Sequence, residues 1–316
     1  MLFIAIGLVG LWIGTRWIMN AATGFAKRFN LSHSFVGVAI LAIGTDLPEV
    51  FITVKASLLH LHGTESSGII TGNAIGSCIS QMTFILGVAG LFLNFTIKKR
   101  DLWRDGIALL SSLILVFAFG SDGIITRPEG GILLSAYLLY YILLLKNQPE
   151  HSDDNSAGKD YSNPVMALLM ISGFSILIAS SHLVVKNALS LAEKWGVAQS
   201  FVGIVIIGLG TSLPELAVSV GAAIRKSAGM SVGNIIGSNI FDGLIPIGLG
   251  GVISTTNIES NLLKFDLPYL FFVTVMVLLF LRSKKGISLS EASVLIGLFL
   301  LYIAVKLFYF EGKSLL

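Results

Sequence analysis

Apolar residues fill most of the chain in long blocks, and short polar segments separate those blocks. Ten blocks can be distinguished, near residues 2–20, 34–59, 67–94, 105–120, 129–146, 163–189, 199–224, 229–254, 267–282 and 289–308. Most are close to the roughly 17–25 residues that an α-helix needs to cross about 30 Å of hydrocarbon. The pattern predicts an all-α membrane protein with ten transmembrane helices. The first block lacks a preceding basic region and a small-residue cleavage site, so it is interpreted as a spanning helix and not as a signal peptide.

The composition also indicates a membrane environment. Of the 316 residues, 54% are hydrophobic and 12% are charged, and the mean hydropathy is +0.85. A soluble domain of this length needs more polar surface than this chain can supply. The single cysteine, Cys78, excludes an intramolecular disulfide. The basic residues behind the net charge of +3 lie mostly in short loops, so the expected surroundings are the lipid bilayer, and no nucleic-acid partner is expected.

One long polar stretch, residues 146–163, divides the apolar blocks into five and five. Its prolines, acidic residues and small residues are typical of a solvated linker. We therefore expect a first five-helix repeat over residues 1–146, a cytoplasmic linker over residues 147–162 and a second five-helix repeat over residues 163–316.

The two halves share two motifs. Residues 34–49 (SFVGVAILAIGTDLPE) and 200–215 (SFVGIVIIGLGTSLPE) are identical at 10 of 16 positions, and residues 72–81 (GNAIGSCISQ) and 233–242 (GNIIGSNIFD) at 6 of 10. Because five spans is an odd number, the second copy crosses the membrane in the opposite sense to the first. Such an inverted-topology repeat is common among secondary transporters.

The distribution of basic residues indicates the orientation. If the N-terminus lies outside, the loops and linker on the cytoplasmic side hold 14 of the 21 Lys and Arg residues. These are Arg16, Lys27, Arg28, Lys98, Lys99, Arg100, Arg104, Lys146, Lys159, Arg225, Lys226, Arg282, Lys284 and Lys285. Since cytoplasmic loops carry an excess of Lys and Arg, we expect a multi-pass protein of the plasma membrane with both termini outside the cell.

Two glutamates, Glu49 and Glu215, lie about halfway through apolar segments and close the same short motif in each half. A charged side chain at the bilayer centre costs at least roughly 2.5–3.5 kcal/mol, so it is expected to face a cavity or a cation. A protonated carboxyl that is hydrogen-bonded within the bundle is the alternative. The repetition of the carboxylate in both halves favours the cation.

Pro48 and Pro214 directly precede these glutamates. Since proline has no N–H, the carbonyls of Gly44 and Gly210 are released from helical hydrogen bonding. A released carbonyl at membrane depth must be satisfied by protein, water or an ion. A simple helix kink is the alternative for a lone proline, but it explains the repeated motif poorly.

Hydroxyl and amide side chains recur at four-residue spacing around the glutamates, which places them on one face of a helix. They are Thr45 and Thr211, each four residues before a glutamate, and the sets Asn73, Ser77, Gln81 and Asn234, Ser238, Asp242. Carboxylate, hydroxyl, amide and carbonyl oxygens are the ligands that Ca²⁺ prefers. The sequence has no histidine or cysteine cluster, so zinc and copper are not expected.

The paired motifs resemble the two α-repeats of the calcium/cation antiporter superfamily, and specifically its sodium/calcium exchanger family in a compact, prokaryote-like form. GTSLPE (residues 210–215) followed by GNIIGSNIFD is diagnostic, and GTDLPE (residues 44–49) with GNAIGSCISQ is a close variant. The resemblance implies ten helices, a site at mid-membrane and antiport by alternating access, with roughly three Na⁺ exchanged for one Ca²⁺. Ca²⁺ and Na⁺ are the implied substrates. No cofactor, enzyme activity or obligate protein partner is expected.

The resemblance also implies roles for individual residues. The implied central Ca²⁺ site comprises Glu49 and Glu215, the backbone carbonyls of Thr45 and Thr211, and Asp242. The implied sodium sites comprise Ser77, Ser238 and the backbone carbonyls of Ala42 and Gly208.

The chain departs from the family pattern at two positions. Asp46 stands where serine is usual, as Ser212 does in the second half, and Gln81 stands where the first repeat often has asparagine. Asp46 raises the number of site carboxylates from three to four, which could change the stoichiometry or add a dependence on protons or potassium. An aspartic acid that is protonated, or turned into a neighbouring polar contact, remains the alternative.

Other functions fit the sequence less well. Ca²⁺/H⁺ exchange and K⁺-dependent Na⁺/Ca²⁺ exchange are the alternatives within the superfamily, although the Gly-Asn-x-x-Glu pattern of the proton-coupled branch is replaced here by GTDLPE and GTSLPE. An intramembrane aspartyl protease that uses Asp46 and Asp242 is a remote alternative, because the Gly-x-Gly-Asp signature of such enzymes is missing.

Overall fold

The computed structural model of the chain describes residues 2–64, 66–92, 98–146, 161–194, 208–282 and 287–311. Eight helices in these ranges are long and apolar enough to cross a membrane, and a bent pair of shorter helices would make a ninth span. The prediction of an all-helical membrane protein is confirmed. The count of ten stays a prediction, because the predicted segment 199–224 is described only from residue 208. Most of the predicted linker, residues 147–160, lies outside the described residues.

The helices of both halves follow the predicted order. The first half contains α1 (Leu2–Arg28), α2 (His33–Thr45), α3 (Leu47–Leu61), α4 (Ser67–Phe92), α5 (Lys99–Gly120), strand β1 (Ile124–Ile125) and α6 (Arg127–Lys146). The second half contains α7 (Asn163–Lys194), α8 (Gly208–Thr211), α9 (Leu213–Ile224), α10 (Ala228–Ser254), strand β2 (Thr256–Asn257), α11 (Leu262–Arg282) and α12 (Leu289–Val305). A wider π-helical turn over Lys306–Glu311 follows α12.

Several helices extend beyond the apolar blocks that predicted them. Helix α1 continues to Arg28, and α5 begins at Lys99 within a basic run formed by Lys98, Lys99, Arg100 and Arg104. Long basic side chains can reach the headgroups from a helix end, so the helix need not stop where the apolar block stops. The basic run is also neutralised locally, because Arg104 lies 3.4 Å from Asp101 and 2.7 Å from Asp105.

Helix α10 is the central helix of the bundle. Within its membrane-length window 83% of the residues are buried, compared with 22% in α6 and 17% in α7. It packs against α2, α3, α4, α5, α6 and α9. The second copy of the Gly-Asn motif therefore lies in the protein interior, whereas most residues of α6 and α7 are at least partly exposed.

Both GTxLPE motifs interrupt their helices. Helix α2 ends at Thr45, α3 begins at Leu47, and the two meet at a bend of 42°. At the break Asp46 has φ −84° and ψ 2°, and Ser212 between α8 and α9 has φ −90° and ψ 14°. These angles lie between the helical and extended regions, in the bridge region of backbone space.

The breaks correct one sequence-based expectation. Pro48 and Pro214 lie in the first turn of α3 and α9, where a missing N–H leaves no helical hydrogen bond unmade. Thr45 and Glu49 are therefore not on one face of a continuous helix, as their spacing predicted. Instead the threonine ends one helix and the glutamate lies in the first turn of the next, where the helix dipole favours a negative charge.

The two halves also share contacts outside the motifs. The Tyr140 hydroxyl donates to Asp105 Oδ1 over 2.9 Å between α6 and α5, and the Tyr302 hydroxyl donates to Asp266 Oδ1 over 2.8 Å between α12 and α11. The residue separations, 35 and 36, are nearly the same. Strands β1 and β2 then pair antiparallel and join the halves at one end of the bundle.

Candidate cation site

Four carboxylates meet in the interior where the two helix breaks approach α10. Asp46, Glu49, Glu215 and Asp242 each have no exposed surface. Asp46 is influenced electrostatically by Asp242 and Glu215, Glu49 by Asp242 and Asp46, and Glu215 by Glu49 and Asp242. The structure therefore brings together all the carboxylates that the sequence singled out, two from each half.

Most oxygens of these carboxylates lack a hydrogen-bond donor among the described residues. Neither oxygen of Asp46, Glu49 or Glu215 accepts a well-formed hydrogen bond from the described residues, and neither does Oδ1 of Asp242. Asp46 nevertheless lies close enough to Glu215 to interact with it. Burying anionic oxygens without partners is costly, and a bound cation would supply the missing partner.

Two serine hydroxyls of the Gly-Asn motifs are also buried without a well-placed partner in the described ranges. Ser77 on α4 and Ser238 on α10 occupy the same position in the two copies of the Gly-Asn motif, and each is at most 1% exposed. Neither hydroxyl has a hydrogen-bond partner of good geometry among the described residues. Ser238 interacts with Asp46, which connects the two motifs. These neutral oxygens suit a hard cation that takes several oxygen ligands.

The Gln81 side chain forms hydrogen bonds with two residues of α10. Its Nε2 atom donates to Asp242 Oδ2 over 3.0 Å, and its Oε1 atom accepts from Asn239 Nδ2 over 2.8 Å. Asn239 was not predicted, although it directly follows Ser238 in the motif. Its amide fixes which end of the Gln81 side chain faces the carboxylate.

Two backbone carbonyls near the breaks, the predicted ligand at Ala42 and the carbonyl of Gly210, both accept hydrogen bonds from the protein. The Ala42 carbonyl accepts from the Thr45 hydroxyl over 3.1 Å and from a backbone N–H over 3.0 Å. The Gly210 carbonyl, which lies in the last helix before the second break, accepts from the Ser181 hydroxyl of α7 over 3.1 Å. In this conformation the protein thus supplies donors to both carbonyls.

The remaining predicted residues surround the second break. Gly208 begins α8 and Thr211 ends it, and Ser212 is buried at the break. The Ser80 hydroxyl lies 3.2 Å from Ser212 Oγ and 2.9 Å from the Ser77 carbonyl, so α4 touches this break directly. Sequence analysis missed Ser80, because Ser80 is not one of the positions at four-residue spacing occupied by Asn73, Ser77 and Gln81.

Sequence analysis also missed polar residues one turn beyond each glutamate. Thr53 follows Glu49 by four residues, and Ser219 follows Glu215 by four; both are fully buried. Ser219 Oγ accepts from Asn234 Nδ2 over 3.0 Å. Continuing the four-residue spacing through the glutamates would have found both hydroxyls.

The site does not form a preassembled metal cage. Within the described ranges no three His, Cys, Asp or Glu side chains are arranged to hold a metal ion together. A cation in this pocket would draw on hydroxyl, amide and carbonyl oxygens together with the carboxylates, as Ca²⁺ does with its usual 6–8 oxygen ligands.

The chain is similar to known ion exchangers over nearly its whole length. The family model for sodium/calcium exchanger proteins matches residues 1–146 and 165–308. A membrane protein of Methanocaldococcus jannaschii is 29% identical over 96% of both chains, and the sodium/calcium exchanger MaX1 of Methanosarcina acetivorans is 27% identical over 98% of both. A solved structure of the sodium-calcium exchanger NCX_Mj, soaked with Na⁺ and Ca²⁺, superposes with a TM-score of 0.81 at 29% identity and covers 96% of both chains.

Proposed function

The chain belongs to the sodium/calcium exchanger protein family, and from this premise we propose that it exchanges Na⁺ for Ca²⁺ across the membrane by alternating access. It is a transporter and not an enzyme, so Asp46 and Asp242 are not a protease dyad. The observation that carries the proposal is the group of four buried carboxylates, two from each half, whose oxygens are left largely without partners.

The chemistry of this pocket explains how two different cations can be coupled. Ca²⁺ and Na⁺ are both hard ions that bind oxygen, but they carry different charges. One Ca²⁺ or several Na⁺ would neutralise the same carboxylates, so occupancy by one ion opposes occupancy by the other. An exchange of roughly three Na⁺ for one Ca²⁺ moves one net positive charge in each cycle.

Within this proposal Glu49 and Glu215 are the central ligands of Ca²⁺, because they lie at equivalent positions after the two helix breaks. Asp242 offers Oδ1 to the cation while Gln81 holds its other oxygen. The sodium ligands would be oxygens of the two repeats around this centre. They are Ser77, Ser238 and the backbone carbonyls of Ala42 and Gly208, whereas the backbone carbonyls of Thr45 and Thr211 would assist the glutamates in binding Ca²⁺.

Sodium binding at Ala42 requires a local rearrangement. A carbonyl oxygen has two lone pairs, and the Ala42 carbonyl already accepts two hydrogen bonds. A sodium ion would therefore have to displace the Thr45 hydroxyl, which could turn towards the same ion. This coupling would make the end of α2 sensitive to occupancy.

The topology belongs to the same proposal. Residues 1–146 and 163–316 would form two five-helix repeats inserted in opposite senses, joined by a cytoplasmic linker over residues 147–162. The excess of basic residues on one side supports a plasma-membrane protein with both termini outside. The Asp–Tyr contacts found in both halves support the repeat.

A second candidate is exchange that also depends on K⁺ or H⁺. The observation that favours it is Asp46, which adds a fourth buried carboxylate at a position where Ser212 stands in the other half. A fourth negative charge needs a further positive charge, from either a proton or a monovalent cation.

One experiment separates these candidates. Purified protein is reconstituted into Na⁺-loaded proteoliposomes, and ⁴⁵Ca²⁺ uptake is measured with K⁺ and pH varied independently outside and inside. Uptake that requires only the Na⁺ gradient supports the first candidate. Uptake that requires K⁺ or a pH gradient supports the second candidate. If neither a Na⁺ gradient nor a H⁺ gradient drives uptake, both candidates are contradicted.

A further inference from the structure

An apolar groove of about 190 Å³ lies between α5 and α11, away from the carboxylate pocket. Its walls include Ile107 and Leu279, and each of these side chains is more than half exposed. A Cβ placed at Gly106 would lie 3.1 Å from Leu278 Cδ2, so the glycine lets the two helices approach closely at the floor of the groove. In a membrane such an open apolar groove is covered by lipid chains.

An aromatic residue and an arginine border the groove at the end where α5 begins and α11 ends. Trp103 and Arg282 both line it, and the Arg282 guanidinium carbon lies 5.9 Å from the centroid of the Trp103 ring. Tryptophan is enriched at the level of the lipid headgroups, because its ring is apolar and its N–H is polar. The pair therefore places a positive charge at headgroup level, directly at the mouth of the groove.

The mouth of the groove carries an excess of positive charge. Residues 98–100 are all basic and exposed, and Lys99 lies four residues before Trp103, on the same face of α5. Arg104 is opposed by Asp101 and Asp105, at 3.4 Å and 2.7 Å. Even with both aspartates counted, the basic residues at this end of α5 and α11 are in excess, and such a cluster attracts anionic headgroups.

The sequence repeat supplies a second groove for comparison. Equivalent residues of the two Gly-Asn motifs are 161 positions apart. By this spacing Leu102 and Leu278, which line the first groove, correspond to Leu263 and Phe117, which line a groove at the other end of α5 and α11. By sequence, the two grooves are thus counterparts in the two halves of the chain.

The two grooves differ in the charge at their mouths. In the second groove the positions of Trp103 and Arg282 are taken by Lys264 and Ser121, and the basic residues 98–100 correspond to Glu, Ser and Asn at residues 259–261. Asp122 also lines the second groove and balances the charge of Lys264.

This difference points to a ligand at the first groove. The packing of α5 against α11 is common to both grooves, so it does not explain an aromatic–arginine pair at only one of them. The excess of lysine and arginine in cytoplasmic loops explains basic residues at that end, but not the position of Arg282 over Trp103 at the mouth.

We propose that this groove binds one anionic phospholipid, with its phosphate against Arg282 and Lys99 and one acyl chain between α5 and α11. A guanidinium can donate two parallel hydrogen bonds to phosphate oxygens while its face rests on an aromatic ring. The acyl chain covers the apolar surface that Ile107 and Leu279 leave open. The groove lies at the end of the bundle proposed to be cytoplasmic, where anionic lipids give the membrane surface a negative potential.

The fluorescence of Trp103 reports the lipid directly. A variant keeps Trp103 and carries Trp12→Phe, Trp17→Phe and Trp195→Phe. It is reconstituted into phosphatidylcholine vesicles that contain increasing amounts of brominated phosphatidylglycerol or brominated phosphatidylcholine, whose bromine atoms quench tryptophan on contact. Half-maximal quenching is expected at a mole fraction at least about fivefold lower for the anionic lipid, the factor that one basic side chain near an anionic surface contributes. Equal mole fractions would overturn the site.

A second single-tryptophan variant separates the groove from a general attraction of anionic lipid to the protein. Trp12 of α1 is 62% exposed, and the Arg16 guanidinium carbon lies 5.5 Å from its ring centroid. This pair matches Trp103 and Arg282 in chemistry but does not line the groove. The preference for the anionic lipid is expected at Trp103 and not at Trp12. The same preference at both positions would overturn a site in the groove.

Charge variants in the background that keeps Trp103 test the headgroup contact. Arg282→Gln should remove most of the preference, whereas Arg127→Gln, which removes an exposed charge at the start of α6, should leave it unchanged. If Arg282→Gln alters thermal unfolding, Lys99→Gln takes its place. A preference that survives the loss of Arg282 or Lys99 in a folded protein would contradict the phosphate contact.

The position of the acyl chain is tested with two matched phenylalanine variants. Leu110→Phe narrows the groove, whereas Ile114→Phe adds the same ring one turn further along α5, on an exposed residue outside the lining. Only Leu110→Phe should move half-maximal quenching by the anionic lipid towards the value for phosphatidylcholine. Inorganic phosphate should not relieve the quenching. Equal behaviour of the two variants, or relief by phosphate, would show that the groove does not hold the chain of a bound lipid.

Discussion

Gln81 of α4 donates a hydrogen bond from Nε2 to Oδ2 of Asp242 in α10 over 3.0 Å. These two residues occupy the same position in the two copies of the Gly-Asn motif, so the bond joins the halves of the chain beside the cation site. It also gives the two oxygens of the Asp242 carboxylate different environments. One oxygen is held by the protein, and the other has no well-formed partner among the described residues and remains available to a cation.

This division predicts unequal effects for two matched substitutions. Asp242→Asn removes a negative charge from the pocket, whereas Gln81→Asn only shortens the side chain that holds it. We expect Asp242→Asn to lower Na⁺-driven ⁴⁵Ca²⁺ uptake at least about tenfold, because a contact with a charged group contributes roughly 1.5–3 kcal/mol. Gln81→Asn should lower it only a few-fold. Equally mild effects would place this helix pair outside the ion path.

Glu49→Gln and Glu215→Gln should each reduce calcium transport to background, at least about a hundredfold, while the protein still folds. Each carboxylate is fully buried and lacks a well-formed hydrogen bond in the described residues, so its charge serves the ion and contributes little to packing. Uptake is measured in proteoliposomes and folding by thermal unfolding. Asp122→Asn, which changes an exposed loop residue, is the matched control for loss of one carboxylate. Wild-type flux in either glutamine variant would contradict the site.

Exchange of roughly three Na⁺ for one Ca²⁺ should respond to membrane voltage. Moving one charge across the whole membrane is worth roughly 2.3 kcal/mol per 100 mV. A potassium potential set with valinomycin should therefore change the initial rate of ⁴⁵Ca²⁺ uptake clearly, with opposite signs for opposite potentials. A rate that does not change with voltage would favour an electroneutral cycle, such as two Na⁺ or two H⁺ for each Ca²⁺.

The Asp266–Lys306 pair should matter for stability. Asp266 is fully buried, Lys306 is 20% exposed, and their charged atoms lie 2.8 Å apart. Lys306→Met leaves the buried carboxylate without its cation and should cost about 3–5 kcal/mol of unfolding free energy. The double variant Asp266→Asn/Lys306→Met should recover part of this loss. Thermal unfolding in detergent checks both, and a double variant no more stable than Lys306→Met would mean that the ion pair is not the cause.

The sequence was sufficient to predict an all-helical membrane protein and to single out the four carboxylates that meet in its interior, but not Asn239 or Ser80 beside them. Glu49 and Glu215 could be found because a repeated carboxylate in an apolar block is costly unless it has a function. The breaks beside them were harder to predict. Glycine and proline indicate a distortion of the helix. Only the backbone dihedral angles at Asp46 and Ser212 show that one helix ends there and a new one begins.

The contacts between helices that are distant in sequence could not be predicted, since they depend on how those helices pack. Nothing in the spacing of Ser80 indicates that it lies beside Ser212, 132 residues away. The pairing of Tyr302 with Asp266 likewise requires α11 and α12 to be adjacent. Apolar periodicity predicts which segments cross the membrane, but similar apolar surfaces leave the choice of neighbouring helix open.

Asp46 is the position at which the chain departs most from its family, and it lies within the carboxylate group, close to Glu215 and Ser238. Four carboxylates exceed the charge of one Ca²⁺ or three Na⁺, so a proton or an additional monovalent cation should balance the remainder. Asp46→Ser restores the residue found at Ser212 and leaves three carboxylates. The variant should therefore keep Na⁺-driven Ca²⁺ uptake but alter its dependence on pH or K⁺.

The reciprocal change separates the number of charges from their position. In Asp46→Ser/Ser212→Asp the fourth carboxylate moves to the equivalent break in the other half. If the count of charges sets the extra dependence, this double variant should recover the pH or K⁺ profile of the wild type, because electrostatic balance requires the same total charge. If the position of Asp46 beside Glu215 sets it, the profile should stay altered. Unchanged pH, K⁺ and Na⁺ profiles in Asp46→Ser would instead show that Asp46 takes no part, and three carboxylates would then suffice for exchange.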